Sequence, residues 1–534
     1  MRLPYVSAVR QNMLQGNTFQ GIKRDAFGSI NAFWDMENMT GEDAPIVRTR
    51  GKRFKLRTIS DCGALFARDG IGWVSGKALW YDGEKVCDLK TSGEKTIANM
   101  GAYIVVFPDK VAYNTATKEL LELENSTEAV CTYSPCDILG EDAEQTAALY
   151  VRIEGTGIAT GFKSKDVVTM ENAPYKALNG TLQIETVVNN DMMIVLGTMD
   201  TAESTNGNKL RVKRTCPDMD YVTECDNRLW GCSSANHEVY ACKLGDPTNW
   251  RNYQGLADDA YAVTVGSVGD FTAAVTHLGY VYMLKDQVQH KLFGNKPSNY
   301  QLTSSHVRGV AKGSEKSQVI HNETLYFHSR DGMCMSNGAL PQRIDAALGN
   351  ERHVNVKCGA GRGRVYCAME SENGTKCIYT YDTERDLWHK EAGAAKAFAE
   401  ASGHVYMLDE DNVLWCLTGR GDPVLAADDS AWEQDVSYSI ETGELEMADL
   451  WRKRLNKVMV RLTLDAGATC QLMVSYDGGP WQVLTSIQSG KDLTSKAVPF
   501  VPRRCDRMRI KLQGTGMMRL YNLNLITTGG SEIG

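Results

Sequence analysis

Short apolar strands recur along the chain, and each carries an aromatic residue, usually just after a turn of Gly, Asn or Asp. The recurring pairs are Leu65-Phe66, Val106-Phe107, Leu229-Trp230, Val281-Tyr282, Leu325-Tyr326, Val365-Tyr366 and Val405-Tyr406. From Tyr282 onward the aromatic residues are 44, 40 and 40 residues apart. One four-stranded propeller blade occupies roughly 40 to 45 residues. The pattern therefore predicts an all-β protein with a β-propeller of six to eight blades.

One step in this series is too long for a single blade, since 123 residues separate Phe107 from Trp230. The excess predicts a β-rich domain inserted at residues 119–215, and LQIETVVNNDMMIVLG within it has the form of two strands around a polar turn. The propeller is then expected at residues 45–118 and 216–430, after an N-terminal arm at 1–44. We also expect residues before 60 to supply a strand to the last blade, near residues 405–417.

The period stops after about residue 430, and a different alternation begins. Near the C-terminus the apolar residues Met508, Ile510 and Leu512 alternate with the basic residues Arg507, Arg509 and Lys511. A period of two with one charged face is typical of a strand at the surface of a sandwich. Residues 432–534 are therefore predicted to form a jelly-roll-like β-sandwich.

Two alternatives accompany this fold prediction. Neither a WD40 signature nor a kelch motif is present, so a pair of β-sandwiches is the competing interpretation of the repeats. Within the repeats, AGAAKAFAEA at residues 392–401 could form one helical turn.

Composition and charge exclude several classes of protein. The 534 residues carry a formal charge of -8, opposite in sign to that of proteins that wrap duplex DNA. There is no apolar run of about 18 residues and no secretion signal at the start, which predicts assembly in a cytoplasm without membrane insertion. None of the fifteen cysteines lies in a CxxC pair, and no histidine spacing matches a zinc site, so no metal or cofactor is expected.

The sequence lacks the motifs of common catalytic sites. There is no GxSxG elbow, no phosphate-binding P-loop and no GxGxxG followed by a helix. SYDGGPW at residues 475–481 resembles the Asp box of sialidases and related propellers, S-x-D-x-G-x-x-W, but is one residue too short. We interpret it as a hairpin turn. The sequence predicts no catalytic residue and a protein that is not an enzyme.

Two basic runs, at residues 48–57 and 450–461, concentrate positive charge in an acidic chain. They are either solvated strand faces or contacts with an acidic neighbour or with phosphates. Because arginine and tryptophan are enriched at protein interfaces, the candidate subunit contact is Trp451, Arg452, Lys453 and Arg454.

Three stretches together resemble a known family. The first holds Asp35-Met36-Glu37-Asn38-Met39 and then Pro45 with an Arg-x-Arg pair, the second runs through NRLWG and GDPTNW, and the third is VPRRCDRMRIKLQGTGMMRLYNLNL. In this order they are similar to tail hub, nozzle or packaged-DNA stabilisation proteins of short-tailed bacteriophages.

This resemblance implies a structural virion protein of the phage tail, assembled in the bacterial cytoplasm. Its copies would form a ring, expected to be hexameric, that contacts portal, adaptor and tail fibre proteins. The ring would extend and close the DNA channel, and the genome would pass without sequence-specific binding. An acidic channel wall is consistent with DNA that slides without adhering.

Two other classes remain open at the level of sequence. One is another phage tail or baseplate protein with a carbohydrate-binding or glycan-degrading role, and the other is a cytoplasmic propeller adaptor. A glycan hydrolysis assay would identify a glycan-degrading enzyme, and the mass of the particle in solution would distinguish a monomer from a ring.

A first prediction concerns the thiols. With no export signal and no ligand spacing, all fifteen cysteines should be reduced and metal-free. Thiol titration of denatured protein under non-reducing conditions should then detect every one. Missing thiols, or stoichiometric zinc in elemental analysis, would contradict the cytoplasmic interpretation.

Overall fold

The computed structural model describes residues 11–25, 27–137, 149–199, 204–445, 452–498 and 501–529. Contacts divide the chain into two compact units. One comprises residues 1–60, 69–71 and 312–534, and the other residues 61–68 and 72–311. The helices in the described ranges are four single 3-10 turns, at Lys176–Leu178, Pro297–Asn299, Ala346–Leu348 and Pro423–Leu425.

The described part of the chain begins with five short strands in the first unit. They are β1 (Gln11–Gly16), β2 (Phe33–Glu37), β3 (Met39–Thr40), β4 (Val47–Thr49) and β5 (Phe54–Thr58). The next eight strands, in the second unit, form two four-stranded antiparallel sheets. They are β6 (Cys62–Ala67), β7 (Ile71–Ser75), β8 (Ala78–Tyr81), β9 (Glu84–Asp88), β10 (Thr96–Met100), β11 (Tyr103–Phe107), β12 (Val111–Asn114) and β13 (Leu120–Glu122).

A closed six-stranded barrel follows, in the order β14-β15-β18-β17-β16-β19. Its strands are β14 (Asn125–Cys136), β15 (Tyr150–Glu154), β16 (Val167–Glu171), β17 (Gly180–Asn189), β18 (Met192–Leu196) and β19 (Ser204–Arg214). Alternate residues of these strands point inward and form one apolar core that includes Tyr133, Ile153 and Val212. The buried ion pair of Arg214 with Asp166 (2.5 Å) lies at the end of β19, where Arg214 also donates to the Glu122 carbonyl of β13. The inserted β domain is thus a barrel.

Five further antiparallel sheets continue the series, four of them with four strands and the last with five. Two belong to the second unit. The first of these consists of β20 (Tyr221–Cys225), β21 (Arg228–Ser233), β22 (Glu238–Ala241) and β23 (Tyr261–Thr264). The second consists of β24 (Phe271–His277), β25 (Tyr280–Lys285), β26 (Gln289–Phe293) and β27 (Gln301–Ser305). Three belong to the first unit. One sheet consists of β28 (Val319–His321), β29 (Thr324–Ser329), β30 (Gly332–Ser336) and β31 (Gln342–Arg343), and the next of β32 (His353–Gly361), β33 (Arg364–Ser371), β34 (Lys376–Asp382) and β35 (Leu387–Glu391). The last sheet joins β36 (Ala395–Ala401), β37 (His404–Asp409) and β38 (Val413–Cys416) to β5. Seven such sheets are the blades of a β-propeller, within the predicted range of six to eight.

The aromatic markers of the sequence fall on equivalent strands in six blades. Residues 107, 230, 282, 326, 366 and 406 all lie on the second strand of their sheet. The marker Phe66 was wrongly aligned, because it lies on the first strand, β6, whereas the second strand of that blade carries Trp73. The helical turn considered for residues 392–401 is also wrong. Residues 395–401 form β36, since pairing with β37 outweighs the helix preference of alanine.

The last blade contains strands from distant parts of the chain. β5 pairs antiparallel with β38, for example Leu414 with Arg57 and Cys416 with Phe54. Leu56 on β5 is fully buried, and its carbonyl accepts hydrogen bonds from Ala427 N and Ser430 Oγ. The prediction that residues before 60 complete the last blade is confirmed.

The remaining strands form the C-terminal β-sandwich, which also takes in the beginning of the chain. They are β40 (Ser437–Thr442), β41 (Lys453–Tyr476), β42 (Gln482–Val498), β43 (Arg504–Cys505), β44 (Met508–Thr515) and β45 (Met518–Gly529). The short strand β39 (Ala431–Trp432), which precedes them, pairs with β5 and is the fifth strand of the last blade. β1 and β4 pair with β45, and β2 pairs with β40, so the expected N-terminal arm is built into this sheet.

The long strand β41 runs through both halves of the sandwich. Residues 453–464 of β41 pair with β45, and residues 469–476 pair with β44, with register irregularities between the two parts. The inward residues of both parts, such as Val460 and Leu472, belong to one apolar core. The sandwich is therefore continuous through a single strand.

The closing strand gives a stability prediction. Leu56→Ala should lower the free energy of unfolding by about 2–5 kcal/mol, because it opens a cavity where no side-chain surface is exposed. The exposed Thr58→Ala on the same strand is the control and should change it by less than about 0.5 kcal/mol. Urea unfolding followed by circular dichroism measures both, and equal effects would show that β5 is not a buried closing strand.

Candidate functional site

A groove of about 560 Å³ lies on the outward face of the C-terminal sandwich. Five adjacent strands form its floor, in the order β2, β40, β44, β41 and β42. All of them belong to the first unit, and their opposite face covers the apolar core. A cavity of this size falls within the range that binds small molecules.

The alternation that predicted a sandwich strand creates this face. On β44, Ile510 and Leu512 are buried at no more than 1% exposure, whereas Arg509, Lys511 and Gln513 are half-buried and point outward. β40 follows the same rule, with Tyr438 and Ile440 inward and Ser437, Ser439 and Glu441 outward. The period-two prediction for this segment is confirmed.

Register aligns the outward polar residues in rows across the strands. One row runs across all five strands and consists of Glu37, Ser439, Gln513, Gln471 and Ser486. The next row runs across four strands and consists of Ser437, Thr515, Thr469 and Gln488. Gln513 Nε2 donates to Gln471 Oε1 (3.3 Å), and the hydroxyls of Thr469 and Thr515 are 3.0 Å apart. The groove thus presents a lattice of hydrogen-bonding groups.

Charge is sparse in this lattice. Of the outward side chains that line the groove, only Glu37 and Lys511 are charged. Lys511 lies 4.0 Å from Glu441, which is also paired with Arg509. The other outward groups are hydroxyls and primary amides, which both donate and accept hydrogen bonds. They suit an uncharged ligand rich in hydroxyl groups.

The floor of the groove requires a glycine. A Cβ at Gly514 would lie 1.9 Å from the Thr469 carbonyl oxygen and 2.7 Å from Tyr438 Oη. Tyr438 Oη donates to that same carbonyl at 2.7 Å, and burial raises the pKa of this phenol. Tyr438 therefore acts as a hydrogen-bond donor that fixes β40 against β41.

An aromatic ring lies near Lys511, one of the residues that line the groove. Trp481 follows the turn between β41 and β42, and the Lys511 ammonium lies 5.8 Å from its ring centroid. The Arg509 guanidinium lies 5.2 Å from the same ring. Trp481 is half-buried, so part of its indole surface faces solvent.

The SYDGGPW segment forms the hairpin turn that carries this tryptophan. Ser475 Oγ donates to the Gly479 carbonyl (2.6 Å), and Asp477 has a left-handed φ of 53°. Asp477 Oδ1 accepts from the backbone N–H groups of Asp506 and Arg507 (2.8 and 2.9 Å). The interpretation as a turn is confirmed, and the aspartate holds the segment before β44 in place.

The structure separates the four residues proposed from sequence as a subunit contact. Arg452 and Arg454 are exposed, whereas Lys453 is buried at 3% exposure and its backbone pairs with Cys505 and Gly529. Lys453 is therefore not part of a surface patch, because alternate residues of a strand point to opposite faces. Trp451 lies outside the described residues. The subunit contact at Arg452 and Arg454 stays a prediction.

Sequence reasoning missed the groove residues. The alternation in SYSIET and in MRIKLQGT marks outward polar positions, but nothing local indicates that these strands are neighbours.

Over the described ranges, no group of three or more His, Cys, Asp or Glu side chains is arranged to hold a metal. In the same ranges no helix is long and apolar enough to span a membrane.

No family model and no curated protein matches this sequence. Among solved structures, BamB from Moraxella catarrhalis is 11% identical, with 69% of this chain and 97% of that chain covered and a TM-score of 0.31. The phage phi92 endosialidase is 10% identical over 70% of this chain and 63% of its own, with a TM-score of 0.24. The Phanerochaete chrysosporium exo-β-1,3-galactanase is 9% identical over 56% and 92%, with a TM-score of 0.20. Similarity this low supports no functional argument.

The two exposed arginines give a test of assembly. Arg452→Glu combined with Arg454→Glu should weaken any ring or tail assembly while leaving the β spectrum unchanged, because both side chains are exposed. Light scattering and electron microscopy of the purified protein would measure the assembly. Arg251→Glu with Arg352→Glu, two exposed arginines elsewhere, is the control. If the Arg452/Arg454 variant assembles like the control, the run is a solvated strand face.

Proposed function

We propose that the protein is a carbohydrate-binding protein that holds an uncharged glycan in the groove of the C-terminal sandwich. The observation that carries this proposal is the row Glu37, Ser439, Gln513, Gln471 and Ser486, in which uncharged donors and acceptors predominate. A sugar ring presents hydroxyls that each donate one hydrogen bond and accept others. Glutamine amides and serine hydroxyls match this dual demand.

The row is also suited to binding because it is rigid. Its side chains project from hydrogen-bonded strands, and the inward neighbours Leu472 and Leu512 are buried at no more than 1% exposure. Groups on strands are held more precisely than groups on loops, so little conformational entropy is lost when a ligand binds. An extended glycan could contact several strands in turn.

Trp481 supplies the apolar part of such a site. The C–H face of a pyranose packs against an aromatic ring, and this ring lies 5.8 Å from the ammonium of Lys511, which lines the groove. The combination of one aromatic surface with hydroxyl and amide groups favours a glycan over a wholly apolar ligand. Gln471, Ser486 and Gln488 are exposed and accessible to it.

A ring-forming role in a bacteriophage tail is a second proposal. It rests on the three resembling stretches, and the exposed Arg452 and Arg454 provide a cationic surface for a neighbouring subunit. The expected hexamer, the portal, adaptor and fibre partners and the passage of DNA belong to this second proposal. A glycan-binding groove is compatible with it, because the two roles use different residues.

Glycan binding is tested with an array of neutral and acidic oligosaccharides, followed by calorimetry on the best ligand. Gln471→Ala and Gln513→Ala should each raise the Kd by about 2- to 13-fold, as expected for one lost hydrogen bond of about 0.5–1.5 kcal/mol. Trp481→Ala should weaken binding of the same ligand through loss of ring contact.

Gln342→Ala is the matched control, since Gln342 is an exposed glutamine on β31, in another sheet. It should leave the Kd unchanged. An array without any bound glycan, or binding that survives all three groove substitutions, would rule out this groove as the site.

A further inference from the structure

A second cavity, of about 340 Å³, lies elsewhere in the first unit. Its wall combines the segment before β5, the start of β33 and the residues that follow β38. The cationic side chains that line it are Arg50, Lys52, Arg53, Arg362 and Arg364, against the two carboxylates Glu42 and Glu391. The residues that line the cavity thus include more cations than carboxylates.

Three of the arginines are held by carboxylates. Arg50 donates to both oxygens of Glu433 (2.7 and 2.8 Å), Arg53 Nη2 donates to Glu391 Oε2 (2.7 Å), and Arg364 Nη1 lies 2.9 Å from Glu42 Oε1. Burial opposes ionisation of Glu391, but Arg53 and Arg50 outweigh it and hold the pKa of this carboxyl below its usual range. The network fixes the arginines around the cavity.

The network leaves donors unused. Arg53 is buried at 7% exposure, and its Nε has no hydrogen-bond partner. A buried N–H without an acceptor is costly, and the residue that carries this one lines the cavity. Arg362 is exposed at the rim and donates through Nε to the Gly403 carbonyl (2.9 Å), while its other N–H groups make no further hydrogen bond to the described residues.

We propose that this cavity binds an oxyanion, a carboxylate, sulfate or phosphate group, through Arg53 and Arg362. A planar guanidinium presents paired N–H groups that match two oxygens of such a group. Lys52 adds positive charge at the rim, although it is paired with the exposed Asp435. The oxyanion can be free in solution or carried by a sugar.

An aromatic residue beside the cavity bears on whether the oxyanion is carried by a sugar. Trp432 is 44% exposed, lines the cavity and packs edge-on against Phe54 at 5.1 Å. A ring that is fixed on one side and exposed on the other can stack against a sugar. If the oxyanion is carried by a sugar, Trp432 would contact the sugar ring.

Calorimetry with four probes tests the proposal: glucuronic acid, glucose, inorganic phosphate and inorganic sulfate. At least one anion should bind, and glucose should not bind in this cavity. Arg362→Gln should weaken anion binding about tenfold or more, since it removes charge-assisted hydrogen bonds at an exposed position. Trp432→Ala should weaken the binding of glucuronic acid and leave the binding of phosphate and sulfate unchanged.

Arg352→Gln, at an exposed arginine outside the cavity, is the control and should bind like wild type. Preference for glucuronic acid would identify a sugar-borne carboxylate, and equal binding of phosphate or sulfate would identify a small free anion. No anion bound, or an Arg362→Gln variant that binds as tightly as the control, would overturn the proposal. The groove variant Gln513→Ala should leave anion binding unchanged. It therefore distinguishes anion binding in this cavity from ligand binding in the groove.

Discussion

The segment 11–58 has to pair with strands from the far end of the chain in two separate sheets. β1, β2 and β4 join β45 and β40 in the sandwich, and β5 joins β38 in the last blade. Asn38 lies between these pairings with a left-handed φ of 55° and is 2% exposed. Its amide donates to the Ser437 carbonyl (2.8 Å) and accepts from Arg50 Nε and Ala392 N (2.9 and 3.0 Å). Both candidate sites depend on this segment, since Glu37 lines the groove and Arg50 and Arg53 line the cationic cavity.

Repeat spacing and alternation predicted the fold because both are local signals. A blade is a supersecondary unit whose length recurs, so the all-β class, the blade range and the closing strand were accessible from sequence. Errors arose where tertiary pairing decides the outcome. Residues 395–401 form a strand because β37 lies beside them, and Phe66 belongs to a different strand from the other markers. The pairing of the arm with the sandwich could not be predicted, because no local pattern specifies a partner hundreds of residues away.

The sites were less accessible than the fold for the same reason. Gln471 and Gln513 look like ordinary outward strand residues until register places them opposite each other. The cationic run near residue 453 shows the reverse error. Three neighbouring cations suggest one patch, but the strand turns Lys453 to the interior and leaves only Arg452 and Arg454 exposed. The order of residues shows where charge lies along the chain, whereas strand geometry decides which charges share a surface.

The pairing of β1 with β45 also constrains when the protein can fold. A ribosome makes residues 11–16 long before residues 518–529, so the sandwich cannot form until β45 has been made. The last blade cannot close until β38, at residues 413–416, has been made. Until then β5 and the early strands of the arm present unpaired edges, which are prone to pair with other chains. Contacts of such high sequence separation also make folding slow. Retention by a chaperone during translation would therefore benefit this chain more than one whose strands pair in order.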